Sequence, residues 1–188
     1  NTGLSERIAE ELTARGIGTI RVSLDILKYK KQLPTAAGLI IVQDPGSDKI
    51  DQNLIDAFTL AKHLAPALIE SADRGGALFA TVTRLDGVFG LKGSQIDLPA
   101  QGGLAGLVKT AAIEWQAVTC RAMDVDPSWR DQSAVDGAVV DELLGATPRE
   151  TVEVGLDEHG MYVAELQPED IQTDRCIARP LDPEDVVV

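Results

Sequence analysis

The chain has 188 residues, 44% of them hydrophobic but only 4% aromatic, so it can bury one sizeable core built mainly from Leu, Ile, Val and Ala. Its 17 basic and 30 acidic residues, a net charge of −13, argue against non-specific binding to nucleic acid or to anionic membranes, both of which need a basic surface. The acidity is uneven: residues 1–120 carry 12 Lys/Arg and 13 Asp/Glu, whereas residues 121–188 carry 5 and 17. A solvated surface and a linker are the simplest reading of that last third, and a docking surface for a basic partner is the other. Two cysteines, Cys120 and Cys176, are too few for a disulfide framework and fit a reduced, cytoplasmic setting. No apolar run approaches the ~20 residues of a membrane span, and the first residues read as an amphipathic helix rather than a signal peptide. The chain starts without Met and reads as a piece of something longer.

In chain order, Leu4, Ile8 and Leu12 recur every four residues and predict a helix that Gly16 ends. Thr19-Ile20-Arg21-Val22 reads as a strand. Residues 24–34 are polar and basic and end at Pro34. Gly38-Leu39-Ile40-Ile41-Val42 is a short continuous apolar run, the pattern of a strand buried on both faces of a parallel sheet. Asp44-Pro45-Gly46-Ser47 is loop chemistry. Residues 51–72 carry an apolar stripe of Leu54, Ile55, Phe58, Ala61, Ala65, Leu68 and Ile69, a long amphipathic helix broken by Gly75-Gly76. The next strand is 77–83, followed by a loop over 84–100 whose glycines (Gly87, Gly90, Gly93) suggest flexibility. A helix over 102–115 turns Leu104, Leu107, Val108, Ala111 and Trp115 inward. A strand over 118–125 and a helix over 132–144 follow, the latter with Val135, Val139 and Leu143 inward.

The period then changes. Residues 151–156 and 161–166 alternate around the turn Asp157-Glu158-His159-Gly160, which predicts a β-hairpin. Residues 167–188 carry Pro168, Pro180 and Pro183 among many acids and read as a linker that ends in Val186-Val187-Val188, the opening of a further strand. Strands alternating with helices of 10–20 residues predict an α/β fold: a truncated, Rossmann-like parallel sheet flanked by helices, with a C-terminal hairpin, over residues 1–166.

The chemistry such a sheet invites is not written in the sequence. A dinucleotide turn would be Gly-x-Gly-x-x-Gly between a first strand and helix, yet only Thr2-Gly3 stands before the first helix. Short-chain reductases use a Tyr with a Lys four residues later, the Lys lowering the Tyr pKa. Leu33 and Leu166 stand four residues after Tyr29 and Tyr162, and Asp97 and Gln101 occupy the aligned positions on the helix that begins near residue 102. His63, His159, Cys120 and Cys176 show no metal-ligand spacing. Cys120 lies in an alternating strand and reads as packing; Lys109 and Glu114 read as a solvated face. The expectation is no catalytic, cofactor-binding or metal-binding residue, with Leu104, Leu107, Val108 and Trp115 packing the sheet.

The stretch Gly102-Gly103-Leu104-Ala105-Gly106-Leu107-Val108-Lys109-Thr110, with Ile113-Glu114-Trp115 and Cys120-Arg121-Ala122-Met123-Asp124-Val125-Asp126, resembles the structural subdomain of the ketoreductase in type I polyketide synthases. The Lys-Thr and Glu-Trp variant is most similar to iterative and polyunsaturated-fatty-acid synthase types. Phe79–Gly87, the 152–166 hairpin and Pro183–Val188 are similar to that family's fifth strand, closing hairpin and approach to the catalytic subdomain. The resemblance implies a noncatalytic half without cofactor. It would stabilise a second half that binds NADPH and reduces the 3-oxoacyl group on an acyl carrier protein. That catalytic subdomain would be its direct partner and the carrier protein an indirect one, with no nucleic acid or membrane involved. An independent, degenerate short-chain dehydrogenase-like reductase and a carrier-protein docking module are the alternatives.

Overall fold

The structure, a computed structural model, describes residues 3–30, 32–43, 50–93, 95–146 and 151–168. Among them α1 spans Leu4–Ala14, β1 Gly38–Val42, α2 Ile50–Arg74, β2 Leu78–Thr83, α3 Gly102–Glu114, β3 Thr119–Val125, α4 Gln132–Gly145, β4 Glu153–Asp157 and β5 Gly160–Tyr162. The five strands form one sheet in chain order. β1 to β4 are parallel and β5 returns antiparallel to β4. The fold is thus α/β with a C-terminal hairpin.

Alternation along the strands feeds two cores. Leu39, Ile41, Phe79, Cys120 and Ala122 point to one face, where α2 (Leu60, Leu64, Leu68) and α3 (Leu104, Ala105, Val108) cover them. Ala80, Val82, Met123, Val125, Val154 and Leu156 point to the other, under α1 (Leu4, Ile8, Leu12) and α4 (Val135, Val139, Val140, Leu143). Each fully buried side chain of this size contributes ~1.5–3 kcal/mol. The strand order advances steadily while the crossover helix changes face after β3, so the β3–α4–β4 connection has the opposite hand to the two before it. Right-handed crossovers are the strong rule, which makes this third connection the exception. Ion pairs hold it. Arg121 on β3, 3% exposed, lies 2.9 Å from Glu142 of α4 and donates to the Thr151 carbonyl just before β4. Arg7 of α1 donates from Nε to both carboxylate oxygens of Asp136 of α4, at 2.9 and 3.2 Å.

Four expectations need correction. The apolar stripe of α2 is not its buried face: Ile55, Phe58 and Ile69 are exposed, and Ala57, Leu60, Ala61, Leu64 and Leu68 turn to the core. Thr19–Val22 is not a strand: it is extended but pairs with no strand, and Ile20 and Val22 are exposed. A β pattern makes a strand only where it meets an edge, and here Thr19 and Arg21 are held to α1. The second hairpin arm ends at Tyr162 rather than Leu166: its ladder with β4 stops at the Gly155–Tyr162 pair. The stretch 24–34 is less polar in use than in composition: around the short 3-10 turn Ile26–Lys28, the side chains Leu24, Ile26, Leu27 and Leu33 pack on the α2–α3 core. The expected linker 167–188 lies outside the described residues beyond Pro168, and so does Cys176.

β4 passes hard against the loop after β2. A Cβ at Gly155 would collide with the carbonyl oxygen of Gly87, and Gly87 itself has φ +80°, with the Leu156 carbonyl and Asp126 closing on its Cβ position. Backbone on both sides leaves no room to yield. Gly155→Ala is expected to destabilise the protein by about 3 kcal/mol in urea unfolding, at the upper end of overpacking costs. Gly137→Ala, in open space on α4, should stabilise it by about 0.5–1 kcal/mol in the same measurement.

Candidate functional site

In open parallel sheets ligands bind beyond the carboxyl ends of the strands. Here the ends of β2 and β3 are closed by the loop 84–93, wrapped round two carboxylates. Asp124, at the end of β3 and fully buried, accepts hydrogen bonds from the Thr83 hydroxyl (2.9 Å) and from the amides of Leu85 (2.7 Å), Asp86 (3.2 Å) and Phe89 (2.9 Å). Asp86, itself buried, accepts from the amides of Val88, Gly90 and Lys92 at 3.0, 2.8 and 3.1 Å. The glycines therefore serve shape rather than flexibility: Gly87, Gly90 and Gly93 all have positive φ, and so does Phe89 at 59°. Burial pushes the Asp86 carboxyl up, but the three amides outweigh it and hold it below the usual carboxylate range.

Outside this knot sits a clasp. Lys92 Nζ lies 2.5 Å from Asp126 and 3.6 Å from Asp157 at the end of β4. Asp126 also accepts from the amide and hydroxyl of Ser128, at 2.7 and 2.6 Å. Partial burial raises the Asp126 carboxyl, yet Lys92 and Ser128 bring it down to about 2. Asp157 is likewise lowered: burial opposes, while the His159 amide, the Tyr162 hydroxyl and Lys92 prevail. The clasp bounds a depression of about 310 Å³ with Trp129 and His159 on its wall. One lysine serves both aspartates of the clasp, and no group of metal-binding residues is found among the described residues.

The remaining candidates fall in place around this knot. Gln101 is buried and its side-chain oxygen accepts the Arg84 amide at 3.1 Å; Asp97 is exposed. Burial and then the Arg7 charge pull the Arg84 guanidinium below its ordinary value, while one of its terminal nitrogens donates to the Asp126 carbonyl at 3.1 Å. Cys120 is buried and its thiol is pushed up to about 11, the opposite of a nucleophile's environment. His63 is exposed on α2, and the His159 side chain faces solvent in the hairpin turn. Lys109 does not simply face solvent: it pairs with Glu153 of β4 at 2.9 Å. Leu104 and Val108 are buried, and Leu107 and Trp115 are partly buried on the same core, where the Trp115 ring lies 5.6 Å from that of Phe79. The sequence reading missed Asp86, Asp124 and Lys92. The one signal was an aspartate in the otherwise apolar end of β3 and another in the glycine-spaced loop after β2.

A dinucleotide requires backbone amides turned outward at these strand ends. The amides of 85–92 that are bonded here turn inward, to Asp86 and Asp124, so the described residues do not fit the cofactor at β2 and β3. None of the described helices is long and apolar enough to cross a membrane. Comparison with family models, curated proteins and solved structures finds no match for this chain.

Two outcomes test the site. Asp124→Ala leaves the amides of Leu85, Asp86 and Phe89 without their acceptor, while the Thr83 hydroxyl keeps the Met123 carbonyl, and should cost about 3 kcal/mol or more, with fast hydrogen exchange at those three amides. Asp126 has a folded pKa of about 2 against roughly 3.9 unfolded. Its contribution is therefore complete above about pH 4 and lost as pH falls through 2. Asp126→Asn should remove that part of the acid dependence, seen as a flatter stability curve between pH 4 and 2.

Proposed function

We propose that this chain is the noncatalytic structural half of a ketoreductase in a cytoplasmic multidomain polyketide or fatty acid synthase. Its role is to stabilise an NADPH-dependent half that reduces 3-oxoacyl thioesters on an acyl carrier protein. The observation that supports this most is the closed end of the sheet. Where a reductase of this fold class would hold serine, tyrosine and cofactor, this chain puts carboxylates that anchor its own loop. A scaffold tolerates such a plug, and an enzyme using that end of the sheet does not. The resemblance over 102–126 supplies the family and the parent reaction.

The hairpin is the proposed seam toward the catalytic half, with residues 151–188 as its extent. Met161, Tyr162, Val163 and Leu166 are exposed on and just after β5, the sheet's last strand. Such a run is costly to leave in water. The test is an NADPH titration of this chain alone, followed by co-production with the catalytic subdomain of its own polypeptide. No saturable binding by the chain alone is expected, together with a higher melting temperature and slower exchange of 151–166 in the pair. Saturable NADPH binding, or consumption of NADPH with a β-keto thioester by the chain alone, overturns the reading.

A further inference from the structure

A trough lies between α4 and the β4–β5 hairpin, in two parts that share Trp129 and Asp157. The first part, about 330 Å³, is lined by the apolar Trp129, Ala138, Leu156 and Met161 and by the carboxylates Asp141 and Glu142 of α4. Leu156 is buried, but Met161 is 58% exposed on a three-residue edge strand, so the trough leaves apolar surface in water. The second part is the depression of about 310 Å³ beside the clasp, where Lys92, Asp126, Glu158 and His159 join the shared Trp129 and Asp157.

The charges of the two parts differ. In the first, Asp141 pairs with Arg15 and Glu142 with Arg121. In the second, Asp126 and Asp157 share Lys92, at 2.5 and 3.6 Å, and among the described residues Glu158 meets only the His159 ring, at 3.8 Å. Asp126 and Asp157 are both held below the usual carboxylate range and are ionised at neutral pH. Carboxylates therefore outnumber cations in the second part, next to an indole and an apolar groove.

Charge limits what can sit there, because like charges brought together across an interface are costly. A second copy of the chain carries a net −13, and residues 169–188 carry 6 acidic residues against 2 arginines. Either would add negative charge to a site that already has an excess. A metal ion needs ligands that converge, and no metal-binding group is found among the described residues. A cation on a long stem has no such requirement. We propose that the trough docks a cationic segment of a partner protein, with an arginine beside Trp129 in the second part and a leucine-sized side chain in the first. Arginine suits the site better than lysine: its guanidinium is more weakly hydrated, stacks on aromatic faces and offers several donors to carboxylate oxygens. Met161 also belongs to the seam described above, but the chemistry of the trough holds for a segment of any partner and does not rest on the ketoreductase reading.

The test is an NMR titration of the full chain with a short, neutrally capped peptide carrying one leucine and two arginines. Saturable shifts are expected at the Trp129 indole N–H and at the amides of His159 and Met161. The Trp115 indole, on the opposite core, should stay in place and report that the fold is unchanged. Affinity should fall at least tenfold from about 0.05 to 0.5 M salt, and at least fivefold in Glu158→Lys, an exposed position whose substitution leaves the fold intact. A peptide with glutamates for the arginines should not bind. No saturable shift at Trp129 overturns the proposal, as does equal binding of the glutamate peptide or by Glu158→Lys. So do nuclear Overhauser contacts from the Trp129 indole to residues 169–188 in the chain alone, which give the trough to the chain's own tail, and a Trp129 signal that moves on dilution, which gives it to a second copy.

Discussion

A carboxylate with no access to water organises the carboxyl end of this sheet. Burying Asp124 is unfavourable unless its oxygens are met by donors, and four donors from β2 and the loop after it meet them. That requirement dictates the path of 84–93: the loop must double back so that the amides of 85, 86 and 89 converge on one side chain. Asp86 repeats the device one layer out, and Lys92 repeats it once more with the charge reversed, reaching Asp126 and Asp157. The three layers join the ends of β2, β3 and β4 into one electrostatic unit.

The two faces of the sheet are built by different means. The face under α2 and α3 is almost wholly apolar packing, with Phe79 and Trp115 as an aromatic pair within it. The face under α1 and α4 combines valine packing with the Arg121–Glu142 and Arg7–Asp136 pairs. A buried arginine is expensive unless paired and bonded. Both pairs hold α4, the crossover helix of the connection with the unusual hand: Arg121 from the sheet and Arg7 from α1.

Most of the fold was legible in the sequence because periodicity reports burial. The apolar run 38–42 and the alternation through 118–125 each reflect what the side chains touch, whereas the stripe along α2 located the helix but not its buried face, since Ile55, Phe58 and Ile69 are exposed. Legibility failed where an element depends on what lies beside it. Thr19–Val22 has a strand's residues, but a ladder is a property of two segments, and among the described residues none pairs with it. The candidate site failed for a related reason: Asp86 and Asp124 are 38 residues apart, and no local pattern shows that one accepts the other's amide. The glycines at 87, 90 and 93 were visible, but whether glycine gives freedom or a fixed positive φ is decided by the acceptors around it.

The absence of space between Gly155 and the Gly87 carbonyl also bears on how the molecule assembles. A loop displaced toward β4 by even one atom's width occupies the strand's position, and a strand displaced toward the loop does the same in return. The loop is also tied to β3 through Asp124. Hairpin and loop therefore fit only in each other's native places, which couples them into one cooperative unit.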